Sequence, residues 1–532
     1  MRDQRRARSQ RIAALGVLAL GPLALVALII GSGENIDGAS GALTEPLYTR
    51  PDDVPPVDLQ LATETWGLDE ISLNGADPMS GGATLADLDG DQDLDLIAAN
   101  GRVVVLLWAG DSFAAPIDLG IGDAVSVAVA DIDADGWPDI AIARTGEQDR
   151  IVWGGPWVTD SNQSMTSSDL AGGHPSAMLL PVDLTGDASP ELVRLGRGED
   201  SGSDDVIWSR DGVERSFSSI TLPRSDRLSL AGTASDVDRD GLLDLWITRD
   251  IGWETGGDSV YSRRGDPNGP WFDIADELGA ALEIDGMGIT LADLDGDTDL
   301  DAYVSDIGEN DVLARSPSGF SPLSDTGAGR IRPPSQPNDI VSSSWASGAA
   351  DLNLDGRLDL IVVGGGFPET TIRNKVPETS VVDAEPPAVF LGIGNGQFVD
   401  AWPETGLDLN VVGRSLTLGD VDGDGDTDAI IVTYDGRLAG LRNDTDRASL
   451  TVILDDRCGE GVELTLTAPQ KSFSVLVPQF TYGGVHARQV IIGSNQETVV
   501  VSATFGTDSL FRGEFEATTH RRTVAVECGA KE

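Results

Sequence analysis

Short apolar runs and acidic, glycine-punctuated breaks alternate along most of this chain. An apolar segment such as Val125-Ser126-Val127-Ala128-Val129-Ala130 or Gly288-Ile289-Thr290-Leu291-Ala292 leads into an acidic loop. A second apolar segment follows the loop: Leu94 through Ala98, Ile140 to Ala143, Leu245 to Thr248, Leu360 to Val363, Ala429 to Val432. Runs of this length between turn signals are strands, so each loop is predicted to join two antiparallel strands as a hairpin. A third strand is predicted at Val103–Leu107, Val206–Trp208, Val260–Ser262, Val389–Leu391 and Leu438–Leu441. A fourth opens at Phe272-Asp273 or Phe398-Val399-Asp400, alternating apolar and polar residues as an outer strand does.

The acidic loop is a repeat of pattern D-x-D-x-D-x-x-x-D, present seven times. Positions one, three, five, seven and nine are Asp87, Asp89, Asp91, Asp93 and Asp95 in the first copy and Asp131, Asp133, Asp135, Trp137 and Asp139 in the second. They are Asp183, Thr185, Asp187, Ser189 and Glu191 in the third, and Asp236, Asp238, Asp240, Leu243 (one place later than its counterparts) and Asp244 in the fourth. The fifth has Asp293, Asp295, Asp297, Asp299 and Asp301, the sixth Asp351, Asn353, Asp355, Arg357 and Asp359, the seventh Asp420, Asp422, Asp424, Asp426 and Asp428. Copies start 44, 52, 53, 57, 58 and 69 residues apart, which suits a unit of four short strands and predicts an all-β, seven-bladed β-propeller. Residues 57–68 read as a fourth strand lying ahead of the first loop, while the seventh unit lacks one after Arg442. Residues 57–63 are therefore expected to complete blade seven and close the ring.

Alternate residues of a tight loop converge on one centre, and calcium takes six to eight oxygens at about 2.3–2.6 Å. Positions one, three and five supply side-chain oxygens, position seven a backbone carbonyl and position nine a closing carboxylate. The variety at position seven suits a main-chain donor. Glycine at position four or six permits the reversal. Six or seven structural Ca2+ sites are expected, the third copy being the weakest because Thr185 and Glu191 depart from the pattern. Magnesium fits less well, since it holds its waters in a strict octahedron.

Charge changes the picture outside the loops. With 88 acidic and 36 basic residues among 532, the net charge is −52, which argues against nucleic acid as a partner. The loop positions hold 29 of those acids, and seven divalent ions would bring the total to −38. At the N-terminus, Arg2, Arg5, Arg6, Arg8 and Arg11 precede an uncharged run from Ile12 to Ile30. Nineteen residues at about 1.5 Å each would span a bilayer's apolar core. Residues 1–31 thus read as a signal anchor or a signal peptide and 32–56 as a flexible linker. Either reading places the rest outside the cytoplasm, anchored or secreted.

The propeller loops resemble the FG-GAP repeats of integrin α-chains and the bacterial VCBS-type repeats. The stretch from Gly286 to Asp297 followed by Tyr303-Val304-Ser305, with Gly436 through Asp444, is similar to FG-GAP proteins that end in an ASPIC/UnbV domain, the cartilage acidic protein group. That resemblance covers residues 57–445 and implies structural calcium on one face and ligand contacts on the other. Gly459 through Ala468 and Val499 to Phe505 resemble parts of the ASPIC/UnbV domain, whereas His486 through Gly493 depart from its core. Residues 446–532 alternate at period two and read as a small antiparallel β domain. Cys458 and Cys528 flank it, either as two thiols or as a disulfide contributing roughly 4 kcal/mol in the chain-entropy model.

No HExxH, G-x-S-x-G or Walker-A spacing occurs, and His174, His486 and His520 stand apart in sequence, reading as surface or strand residues. Arg264-Gly265-Asp266 reads as a polar turn between outer strands. The expected function is an extracytoplasmic binding or adhesion module for a surface protein or glycan. A propeller-based polysaccharide lyase or other hydrolase is the alternative, on analogy alone. Ligand contacts are expected on the face opposite calcium, in loops 144–150, 196–205, 249–258 and 364–387, with Trp253, Phe367 and Arg373 as candidates.

Overall fold

The computed structural model describes residues 49–526 apart from 76–78, 161, 172–174, 188, 198–203, 213–214, 224–226, 253–255, 330–342, 367–383, 455–460, 469–470, 494–497, 506–507 and 517–520. The apolar run 12–30, Trp253, Phe367, Arg373, His174, His520 and both cysteines lie outside the described residues. Among the described residues, no helix is long and apolar enough to cross a membrane.

The chain is an all-β propeller. Among the described residues, seven antiparallel units repeat one register, in which the last residue of the first strand pairs with position nine of the acidic loop. The pairs are Ala86↔Asp95, Ala130↔Asp139, Val182↔Glu191, Ser235↔Asp244, Ala292↔Asp301, Ala350↔Asp359 and Gly419↔Asp428. First strands such as Ser176–Val182, Ser229–Ser235 and Gly413–Gly419 are buried along their whole length. Fourth strands such as Thr166–Asp169 and Phe217–Thr221 are largely exposed. Neighbouring first strands pack side by side through all seven units, and that of the seventh packs against that of the first. Aromatic wedges fill the gaps between units, with Trp246 edge-on to Phe320 at 4.9 Å and Trp66 edge-on to Trp108 at 6.1 Å.

Leu59–Leu61 pairs antiparallel with Leu438–Asn443, Leu59 facing Asn443 and Leu61 facing Leu441. The N-terminal strand is therefore the fourth strand of unit seven, as its position ahead of the first loop predicts. Unit one departs from the expected pattern. Its second and third strands form one run, Asp95–Leu106, which must double back near Asn100–Gly101, because the Trp108 amide donates to Asp95 Oδ1 at 2.9 Å. Its fourth strand is the start of Ile117–Ala130, whose later half is the first strand of unit two.

The C-terminal strands are woven into the propeller. Val462–Ala468, Lys471–Val477, Thr498–Phe505 and Asp508–Glu516 continue the sheet of unit five, joined by Ala292↔Val475. Ser449–Leu454, Gln489–Gly493 and Arg522–Val526 form a three-stranded sheet, with a parallel pair that the antiparallel expectation lacked. Between them the hairpin Phe480–Thr481 and Gly484–Val485 enters among the first strands of units one, two, four, five, six and seven. This insertion lies along the propeller axis.

Candidate metal centres

Six of the acidic loops owe their shape to two left-handed residues each. Positions four and six take positive φ in every described case: Gly90 and Gln92, Ala134 and Gly136, Arg239 and Gly241, Gly296 and Thr298, Leu354 and Gly356, Gly423 and Gly425. Every one of these pairs contains a glycine, the residue that tolerates this geometry. The turn points main-chain amides inward at position one. Asp87 Oδ1 accepts from Gly90 at 2.7 Å and Asp91 at 3.1 Å, and Asp87 Oδ2 accepts from Gln92 at 3.0 Å. Asp131 and Asp293 accept the equivalent amides.

Position nine has a second task. Its carboxylate takes the amide of position two, as in Leu88→Asp95, Ile132→Asp139, Leu294→Asp301, Leu352→Asp359 and Val421→Asp428, all at 2.8–2.9 Å. The other oxygen takes an amide from the end of the third strand or just past it, such as Gly154, Arg315, Gly392 or Asn443. The residue predicted to close the metal shell thus also ties the loop to the blade.

Five loops bring three carboxylates together with ligand oxygens all within 4.8 Å: Asp87, Asp89, Asp95; Asp131, Asp133, Asp139; Asp236, Asp238, Asp244; Asp293, Asp295, Asp297; Asp420, Asp422, Asp428. The third and sixth loops form no such trio among the described residues, which agrees with Thr185 and Asn353 at position three. Asn353 instead donates to the Pro55 carbonyl at 3.0 Å. Leu243, one place past position seven, is buried in the core, and Arg357 at position seven pairs with Asp355 at 2.8 Å. Asp426 is buried, while Asp93 and Asp299 lie nearer the surface.

Oδ1 of Asp133, Asp244, Asp420, Asp422 and Asp426 is buried without a hydrogen-bond partner. Buried acceptors left this way cost stability unless another group meets them. Burial, reinforced by neighbouring loop carboxylates, pushes Asp95, Asp139, Asp301 and Asp420 up to about 7 and Asp244 to about 8. Asp426, buried beside the Asp424 carboxyl, rises to about 10. An oxygen-rich, anionic and desolvated pocket of this kind fits a hard divalent cation, so the residues present suit calcium.

Several residues around these loops were not singled out by the sequence. Arg215 reaches from unit three to Asp133 and Asp135 of loop two, stacking over Trp153 at 4.3 Å. Arg521 contacts Asp424 at 3.0 Å and Asp426 at 3.3 Å in loop seven. On the opposite face, buried Asp149 takes the Arg144 amide and the Ser176 hydroxyl, joining units two and three. Asp205 does the same with Gly196 and Ser229, and also accepts from buried Arg249 at 2.7 Å. An Asp immediately before the third strand recurs at 149, 205 and 258, a signal the sequence carried.

His486, expected at a surface or on a strand, is buried at the axis. Its Nδ1 accepts from the Leu418 amide at 3.1 Å, and burial lowers it to about 4. Arg264-Gly265-Asp266 is a turn with Arg264 and Gly265 at positive φ, and Arg264 is paired with Glu277.

Residues 67–142 match the FG-GAP-like repeat family. No curated protein sequence matches the chain. Among solved structures it is similar to BBS1N in complex with ARL6DN, at 15% identity and TM-score 0.38, covering 69% of this chain and 94% of that one. It is also similar to Saccharomyces cerevisiae Sqt1, at 10% identity and TM-score 0.37, covering 73% and 99%.

Proposed function

We propose that this FG-GAP-type β-propeller is a seven-bladed, calcium-loaded binding module that works outside the cytoplasm, its ions acting as structural staples. The observation that carries the metal reading is the set of five carboxylate trios, three of them with orphaned buried oxygens. The seven matching registers and the packing of the last first strand on the first support the blade count. The arginine-led apolar run at 12–30 supports export. The C-terminal strands play the part of the ASPIC/UnbV domain, as the stretch from Gly459 to Ala468 suggests.

The partner is a surface protein or glycan. C-terminal strands lie against the acidic loops of units four to seven, as with Gly461 at Leu243 and Ser474 at Asp293. That arrangement favours the opposite face, with its loops 144–150, 196–205, 249–258 and 364–387, for contact. Elemental analysis of the native protein should find about five or more calcium ions per chain, and none would overturn the metal reading. Screening the purified chain against glycans and surface proteins should give calcium-dependent binding. Turnover of a polysaccharide would instead favour the lyase or hydrolase reading.

A further inference from the structure

We infer that the C-terminal strands and the acidic loops of units six and seven brace one another, so that an ion in loop seven holds Ser449–Leu454 and Gln489–Gly493 in the propeller and is itself held there. The inference rests on the calcium reading above and adds a coupling to it.

The contacts are made with the loop residues themselves. The Gly493 amide donates to Asp351 Oδ2, at position one of loop six, at 2.8 Å. The backbones are so close there that a β-carbon on Gly493 would lie 1.9 Å from the Leu354 carbonyl oxygen. In loop seven, Ser449 Oγ donates to the Gly425 carbonyl at 2.6 Å, and Arg521 spans Asp424 and Asp426. Both glycyl and aspartyl partners keep these positions only while the loop stays wound.

Loop seven has the greatest need of a cation. Three of its carboxylates, Asp420, Asp422 and Asp426, each bury an unpartnered oxygen. Without an ion these buried oxygens are left unmet, a cost that the turn presenting the Gly425 carbonyl and Asp424 relieves by unwinding. Loop six is buried almost throughout, whereas Asp91 and Asp93 of loop one are exposed. An ion in loop one meets solvent directly, while an ion in loop seven sits behind the C-terminal strands. Beyond them the hairpin is anchored at the axis. Gln479 exchanges hydrogen bonds with both backbone groups of Ala349, and the Thr417 hydroxyl donates to Val485 at 2.8 Å. Coupling of this kind is reciprocal: whatever the ions add to docking, docking adds to ion affinity.

A matched pair of substitutions tests this in the full chain. Asp422→Asn and Asp89→Asn both alter position three of a loop. Hydrogen exchange in calcium should quicken at least tenfold in Ser449–Leu454 and Gln489–Gly493 for Asp422→Asn, and stay unchanged there for Asp89→Asn. Equal behaviour of the two variants overturns the brace. Should either variant not fold, calcium release from the unaltered protein into excess fluorescent chelator decides. Fast and slow phases at least tenfold apart are expected, and a single fast phase overturns the brace. A native protein free of divalent metal would sink the calcium reading as well, whereas bound metal with indifferent C-terminal strands sinks only this inference.

Discussion

At the scale of single residues, the loop carboxylates and His486 respond to pH in opposite directions. Asp95, Asp139, Asp301 and Asp420 are raised to about 7 by burial and neighbouring charge, so the metal-free fold favours their protonated forms. Their stabilisation is complete below about pH 4 and is lost as pH rises through 7. His486 is lowered to about 4, so its contribution is present above about 6.5 and is lost as pH falls to about 4, at roughly 3 kcal/mol. Four carboxylates with comparable shifts outweigh one imidazole. Protein stripped of divalent ions should therefore melt at a higher temperature at pH 5 than at pH 8. Calcium-loaded protein should do the reverse, because ions require the deprotonated loops. Melting curves at the two pH values check this, and parallel trends would refute it. A second contrast concerns glycine. Gly483 has φ 74°, and a β-carbon there would lie 1.9 Å from the Gly81 carbonyl oxygen, whereas Gly423 has φ 73° and open space around it. Gly483→Ala should cost about 3 kcal/mol or more and Gly423→Ala about 1 kcal/mol, read from denaturant titration.

At the scale of elements, the acidic loops and the closing strand were legible in the sequence for different reasons. The loop carboxylates are neighbours in the chain, so their spacing carries the geometry directly. The closing strand betrayed itself by a miscount, one strand too many before the first loop and one too few after the last. Leu59–Leu61 indeed covers the edge of Leu438–Asn443. Removing residues 1–63 should leave that edge bare and promote self-association, visible by light scattering as concentration rises. The threading of the C-terminal strands was not legible. It depends on backbone approach at Gly483, Gly484 and Gly493, where the missing side chain is the whole signal, and alternation says nothing about the partner sheet. The Asp149 and Asp205 braces had a recurring mark before the third strand, but their Ser partners lie 27 and 24 residues further on.

At the scale of the whole molecule, ions that bind only the folded ring stabilise it by mass action. Chelation should lower the melting temperature by about 10 °C or more, followed by calorimetry. Asp420→Ala should lower it measurably, and Asp187→Ala much less, since loop three gathers no carboxylate trio among the described residues. The N-terminal seal has a mechanical consequence. Tension applied ahead of Arg50 reaches the ring through one short strand, Leu59–Leu61 with a main-chain bond at Asp58 and at Ala62, so a pull from that end peels the seam before it strains any blade. Held between residues 49 and 526 in an optical trap, the molecule should give way first in a short, low-force step.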